Sequence, residues 1–234
     1  TAPYFDDEFT AEDQRAARGE DGKTHYVPAD MKYREWEKKF VGREAEESPR
    51  KATNGSYGVK WPRIQSPEYR ESLEKLSNDP KVVDAIETRA RWALSNRDGS
   101  KTEEIYAVSL ETGKEIARIA DQKTEYGIHR SEAFTKKLSA VDQDGEQILL
   151  IHNHPRGLPP SISDINVLLE NKNATGITVG HDGSLYRYTR PQKEIPRTDF
   201  LVALRKYSQY TETTNIEKAL DELSSEYGFR IEKL

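Results

Sequence analysis

The chain has 234 residues, 34% of them hydrophobic and 33% charged, with a net charge of −5 at pH 7. That apolar share, below the ~45–50% usual for a globular domain, argues against one core filling the whole chain. The acidic balance speaks against a nucleic-acid surface, the lack of cysteine excludes disulfides, thiolate catalysis and Cys-type zinc sites, and no apolar run approaches a membrane span of ~18 residues.

Charge is unevenly spread. Residues 1–50 carry 22 charged side chains, whereas residues 147–189 carry 6. The core, and any pocket chemistry, is expected in the second window.

In chain order, residues 1–60 read as an extended arm. A short extended HYV lies within it, and Asp30 is placed to N-cap a helix over MKYREWEKKFV, where Met31, Trp36 and Phe40 form a stripe. Residues 61–98 read as a helical linker. One helix starts at Ser66-Pro67-Glu68 and another buries Val82, Val83, Ile86, Ala90 and Ala93 on one face. From residue 99 the period changes. EEIYAVSLETGKEIARIAD predicts two strands joined by a turn at Glu111-Thr112-Gly113. A short helix follows over Ser131 to Leu138, then the apolar strand QILLIHNH, then a helix from Ser161 to Asn171. ATGITVGHDGSLYRYT predicts a hairpin around His-Asp-Gly. Residues 191–234 read as a helical extension with two helices, a stop at Gly228 and a last short strand.

The chemistry concentrates in IHNHPRGLPPSISDI. His152 and His154, two apart at the end of a strand, project from the same face. Asp164 falls in the first turn of the next helix and Ser161 at its N-cap. Singly, each residue has a plain structural role: a satisfied polar histidine, a helix-start charge, a cap. Together, two imidazoles and a carboxylate at a strand end suit Zn²⁺ with an open fourth position for water. Bound zinc brings the pKa of its water towards ~7, and a nearby carboxylate can then take and return a proton. HNH-type nucleases share the letters but spread them over a longer motif.

The ordered set HNHPxG…PSxxD resembles the JAMM/MPN-plus metalloprotease signature, most closely the RadC-like branch, over residues 99–190. The resemblance implies an α/β fold of the MPN/cytidine-deaminase-like type, a mixed curved sheet flanked by helices. It implies Zn²⁺ held by His152, His154 and Asp164, with Ser161 supporting the tetrahedral intermediate. It also implies a catalytic glutamate at the start of the first core strand, which the alignment of Leu110 puts at Glu103, with Glu104 as the neighbour facing the other way. The spacing from His154 to Asp164 is one position shorter than the family's. A loop that absorbs the difference lets Asp164 reach the metal; one that does not leaves a degenerate site. His181 is read as hairpin structure or support, not as a ligand.

A second resemblance concerns the arm. TAPYFDDEFT…ARGEDGKTHYVPADMKYREWEKKFV is similar to the end of phage Mu F-type head morphogenesis proteins, minor capsid proteins of tailed phages. With Thr in first place, this implies the C-terminal piece of a longer virion protein, found in the virion or the bacterial host cytoplasm. The leading expectation is a zinc peptidase or isopeptidase acting on a protein or peptide substrate, with phage capsid or portal proteins as partners and no membrane. The alternatives are a metal-free MPN-like scaffold or interaction module and a RadC-like DNA-associated role, against which the acidic charge speaks.

Overall fold

The computed structural model describes residues 57–120 and 130–234, together with the backbone of two short strands, β1 (Arg15–Arg18) and β2 (Thr24–Val27). These two pair antiparallel, Ala17 opposite His25. The helix expected over Met31 to Val41 lies outside the described residues, as does His129.

Three helices open the continuous part: α1 (Trp61–Ile64), α2 (Pro67–Glu74) and α3 (Pro80–Asn96). Their starts follow from local chemistry. Ser66 Oγ accepts from the Tyr69 N–H, Asp79 Oδ1 accepts from the Lys81 N–H, and each helix carries Pro in its first turn, where no intrahelical N–H is needed. Then come β3 (Ile105–Ser109), β4 (Glu115–Ile119), α4 (Glu132–Gln143), β5 (Ile148–His154), α5 (Ile162–Val167), β6 (Ala174–Gly180), β7 (Leu185–Thr189), α6 (Arg197–Lys206), α7 (Glu212–Tyr227) and β8 (Ile231–Lys233). The turn between β3 and β4 holds Gly113 at φ +73°, a conformation that glycine adopts without strain. Gly228, at φ +65°, ends α7 as expected. Two helices differ in length from the expectation. α4 runs on to Gln143, and the helix after Ser161 gives way at Leu168–Glu170 to a tighter 3₁₀ turn.

The strands β3 to β8 form one six-stranded mixed sheet in the order β4-β3-β5-β6-β7-β8. All neighbours are antiparallel except β5 and β6, which run parallel with α5 in the crossover. Every residue of β5 is buried, as a strand covered on both faces requires.

Helices cover both faces of this sheet. On one face α1, α2 and α3 pack Trp61, Leu73, Val83 and Ile86 against Tyr106, Leu149, Ile151 and Val179. On the other, α4, α5, α6 and α7 pack Phe134, Leu138, Ile165, Ala203 and Leu220 against Ala107, Ile148 and Leu150. The segment read from sequence as a helical linker is thus one of the two covering layers. The segment read as a C-terminal extension adds helices to the second layer and an edge strand to the sheet. Among the described residues, packing on the sheet extends beyond 99–190 on both sides, because that stretch supplies no helix to the first face and only α4 and α5 to the second.

Candidate metal centre

β5 alternates its side chains through the sheet. Leu150, His152 and His154 lie on the α4–α7 face, and Ile151 and Asn153 on the other. The two histidines stand at the carboxyl end of β5, where it runs parallel to β6, the usual place for a site in an open α/β sheet.

The loop after His154 turns back at once. Gly157 N–H donates to His154 O at 3.0 Å, and His154 O also accepts from His181 N–H at 3.1 Å. Gly157 sits at φ +65°, and a Cβ there would fall 2.3 Å from Asp182 Oδ1. This packing brings the Leu158 carbonyl to 2.8 Å from His154 Nδ1. With Nδ1–H donated to that carbonyl, Nε2 is the ring atom that His154 turns toward the site.

α5 then delivers Asp164. Ser161 Oγ accepts from the Asp164 N–H at 3.2 Å, and Asp164 Oδ2 accepts from the Ser161 N–H at 2.7 Å. This reciprocal capping box fixes the carboxylate's direction. Asp164 Oδ1 lies 3.5 Å from His152 Nε2, Oδ2 lies 3.4 Å from His154 Nε2, and the two Nε2 atoms are 2.9 Å apart. One ligand atom from each of the three residues falls within 4.8 Å of the others. The shorter loop therefore still brings Asp164 to the histidines.

The three groups share a cavity of about 1210 Å³. Glu103 and Ser161 line it as well; Glu104 does not. Glu104 is buried on the opposite side, 3.0 Å from Arg97 and accepting from Asn96 and from the Tyr106 hydroxyl. One wall is apolar, with Leu150, Val167, Phe200 and Ile216. Tyr188, edge-on to His152, also lines the cavity; its ring lies where a Cβ on Gly176 would sit, 2.0 Å from its Cζ. The sequence reading did not single out Tyr188. The Gly176 directly opposite it on β6 was the available signal.

Comparison of the chain with protein-family models, with curated proteins and with solved structures found no match.

The site's electrostatics are those of two imidazoles facing carboxylates. Burial opposes the charged form of Asp164, but His152 and His154 outweigh it and hold the carboxyl well below its usual range. Burial likewise opposes the His154 imidazolium, but the hydrogen bond and charge of Asp164, with Glu103, push its pKa up to about 9. Burial raises Glu103, against the two imidazoles and with the help of Asp164. The Tyr188 phenol is raised well above its ordinary value by burial and by both carboxylates. Two nitrogens and a carboxylate oxygen, open to a cavity on one side, are a donor set that fits a divalent metal of the zinc type. His181 is not part of it: its ring is buried between Tyr57 O and the Asn153 side-chain amide.

Proposed function

We propose that the chain is a zinc-dependent metallohydrolase that cleaves peptide or isopeptide bonds. The fold would be of the MPN type and the site of the JAMM/RadC-like kind. The observation that carries this reading is the convergence of His152, His154 and Asp164 on a cavity that Glu103 and Ser161 also line. No helix among the described residues is long and apolar enough to cross a membrane.

When bound by His152, His154 and Asp164, zinc supplies Lewis acidity and an acidified water at neutral pH. Glu103 then takes a proton from the attacking water and returns it to the leaving amine, a task helped by the upward shift that burial gives its carboxyl. Ser161 Oγ already accepts from the Asp164 N–H, so its own O–H can donate to the oxyanion that develops on the carbonyl. The wall of Leu150, Val167, Phe200 and Ile216 takes an apolar side chain of the substrate and excludes water beside the reacting bond. The partner class is a protein or peptide, with phage capsid or portal proteins in the virion or host cell as the natural setting.

The test is cleavage of a fluorescence-quenched peptide library by the full chain. Cleavage that stops on chelation, returns with zinc and is lost in Glu103→Gln supports the reading. Cleavage indifferent to chelation sinks it. A metal-free scaffold draws on a different observation, the direct pairing of His154 with Asp164, and predicts no zinc uptake at all.

A further inference from the structure

Asn153 is fully buried and faces away from the cavity, yet it grips the backbone that carries Glu103. Its Oδ1 accepts from the Glu104 N–H at 2.7 Å, and its Nδ2 donates to the Thr102 carbonyl at 3.2 Å. Those two groups belong to the peptide units on either side of Glu103. Glu103 itself lies ahead of β3, whose pairing with β5 begins at Ile105 opposite His152. Among the described residues no sheet pairing reaches Glu103, and one side-chain amide grips the peptide units on either side of it. The amide's orientation is fixed in turn. His181 Nδ1 donates to the Tyr57 carbonyl at 2.7 Å, so its Nε2 is the acceptor for the second Asn153 Nδ2 proton, at 3.1 Å.

We propose that Asn153 is a positioning residue for Glu103, with His181 holding it in register; this rests on the metallohydrolase reading above. Alternation along His152-Asn153-His154 then has one purpose on each face. The outer two residues face the metal site, and the middle one fixes the carboxylate that works beside it. The same amide separates Glu103 from Glu104, because a twist that exchanged them would break both backbone bonds.

The experiment measures kcat and KM on the quenched peptide library, zinc affinity by competition with a chromophoric chelator, and amide hydrogen exchange at Glu104. Asn153→Ala is expected to lower kcat about 100-fold, since a displacement of about 1 Å at a reacting group costs this much. KM and zinc affinity should stay within about threefold, and Glu104 exchange should rise. In a Glu103→Gln background, Asn153→Ala should cost no further kcat, because the two act as one unit. His181→Ala, which removes one of the three bonds, should show the same pattern at about tenfold and serves if Asn153→Ala does not fold. An unchanged kcat, an equal loss in the Glu103→Gln background, or a parallel loss of zinc affinity overturns the proposal. A wild-type chain that binds zinc and cleaves no peptide overturns the enzyme reading and the role of Asn153 with it.

Discussion

Glu103 and Glu104 are adjacent in sequence and stand on opposite sides of the sheet. Glu103 lines the cavity of His152, His154 and Asp164, while Glu104 is buried against Arg97, Asn96 and Tyr106. Their amide variants should therefore separate. Glu103→Gln is expected to lower kcat by roughly 10²–10⁴ with zinc content and melting temperature unchanged. Glu104→Gln is expected to keep kcat but destabilise the fold by about 2 kcal/mol, because it removes the charge of a buried carboxylate paired with the partly buried Arg97. Kinetics and thermal melts of the two variants check this. Loss of kcat in Glu104→Gln alone would reverse the assignment.

Ser161 and Asp164 are tied through each other's backbone N–H. Ser161→Ala removes the cap oxygen and the hydroxyl but keeps the N–H that orients Asp164. We expect a stability loss of about 1 kcal/mol, zinc affinity within a few-fold of wild type, and kcat reduced roughly 10²–10³. Steady-state kinetics, beside denaturant melts and zinc titration, distinguish this from a purely structural cap, for which kcat would not fall.

The loop that fixes His154 depends on Gly157. Alanine there meets the Asp182 carboxylate and requires a φ of +65°, which costs about 1–2 kcal/mol before any clash. The Leu158 carbonyl then shifts from His154 Nδ1. Gly157→Ala should weaken zinc binding roughly 10–100-fold, as loss of an outer hydrogen bond to a ligating histidine does. Competition titration reads this directly. Unchanged affinity would show that the Leu158 contact does not tune the ligand.

Zinc binding should depend on pH with a definite sign. In the metal-free protein the His154 pKa is pushed up from 6.5 to about 9, and Asp164 is held well below its usual range. Zinc must displace the His154 proton but none from Asp164. Apparent affinity is therefore expected to rise about tenfold per pH unit from 7 to about 9 and then level off. The metal-free fold behaves oppositely. The stability that the His154–Asp164 pair contributes is full below pH 6.5 and is lost as pH rises through about 9. Isothermal titration in two buffers of different ionisation enthalpy measures the proton released. No release at pH 7 would contradict the shift.

Much of this was legible in the sequence. Apolar runs and turn residues located β3 to β7, and Ser66, Ser131, Ser161 and Gly228 marked helix ends because caps are local chemistry. His152 and His154 were readable because strand alternation puts them on one side, and Asp164 because it follows a cap. The layering was harder. Val82, Val83, Ile86, Ala90 and Ala93 announced an apolar face on α3, but not that the face lies on β3, β5 and β6. Asn153 carried no signal at all. Its partners Thr102, Glu104 and His181 are far away along the chain, and only the folded register of β3 and β5 brings them to it. Tyr188 over Gly176 was nearer to hand, since both lie in the predicted hairpin and the glycine marks a close approach.

The most direct measurement is zinc stoichiometry. Wild-type chain and His154→Ala are dialysed to equilibrium against micromolar zinc at pH 8, and metal and protein are then quantified. A metal centre formed by His152, His154 and Asp164 predicts about one zinc per wild-type chain and close to none in the variant. Wild type that holds no zinc, or a variant that holds as much as wild type, contradicts it.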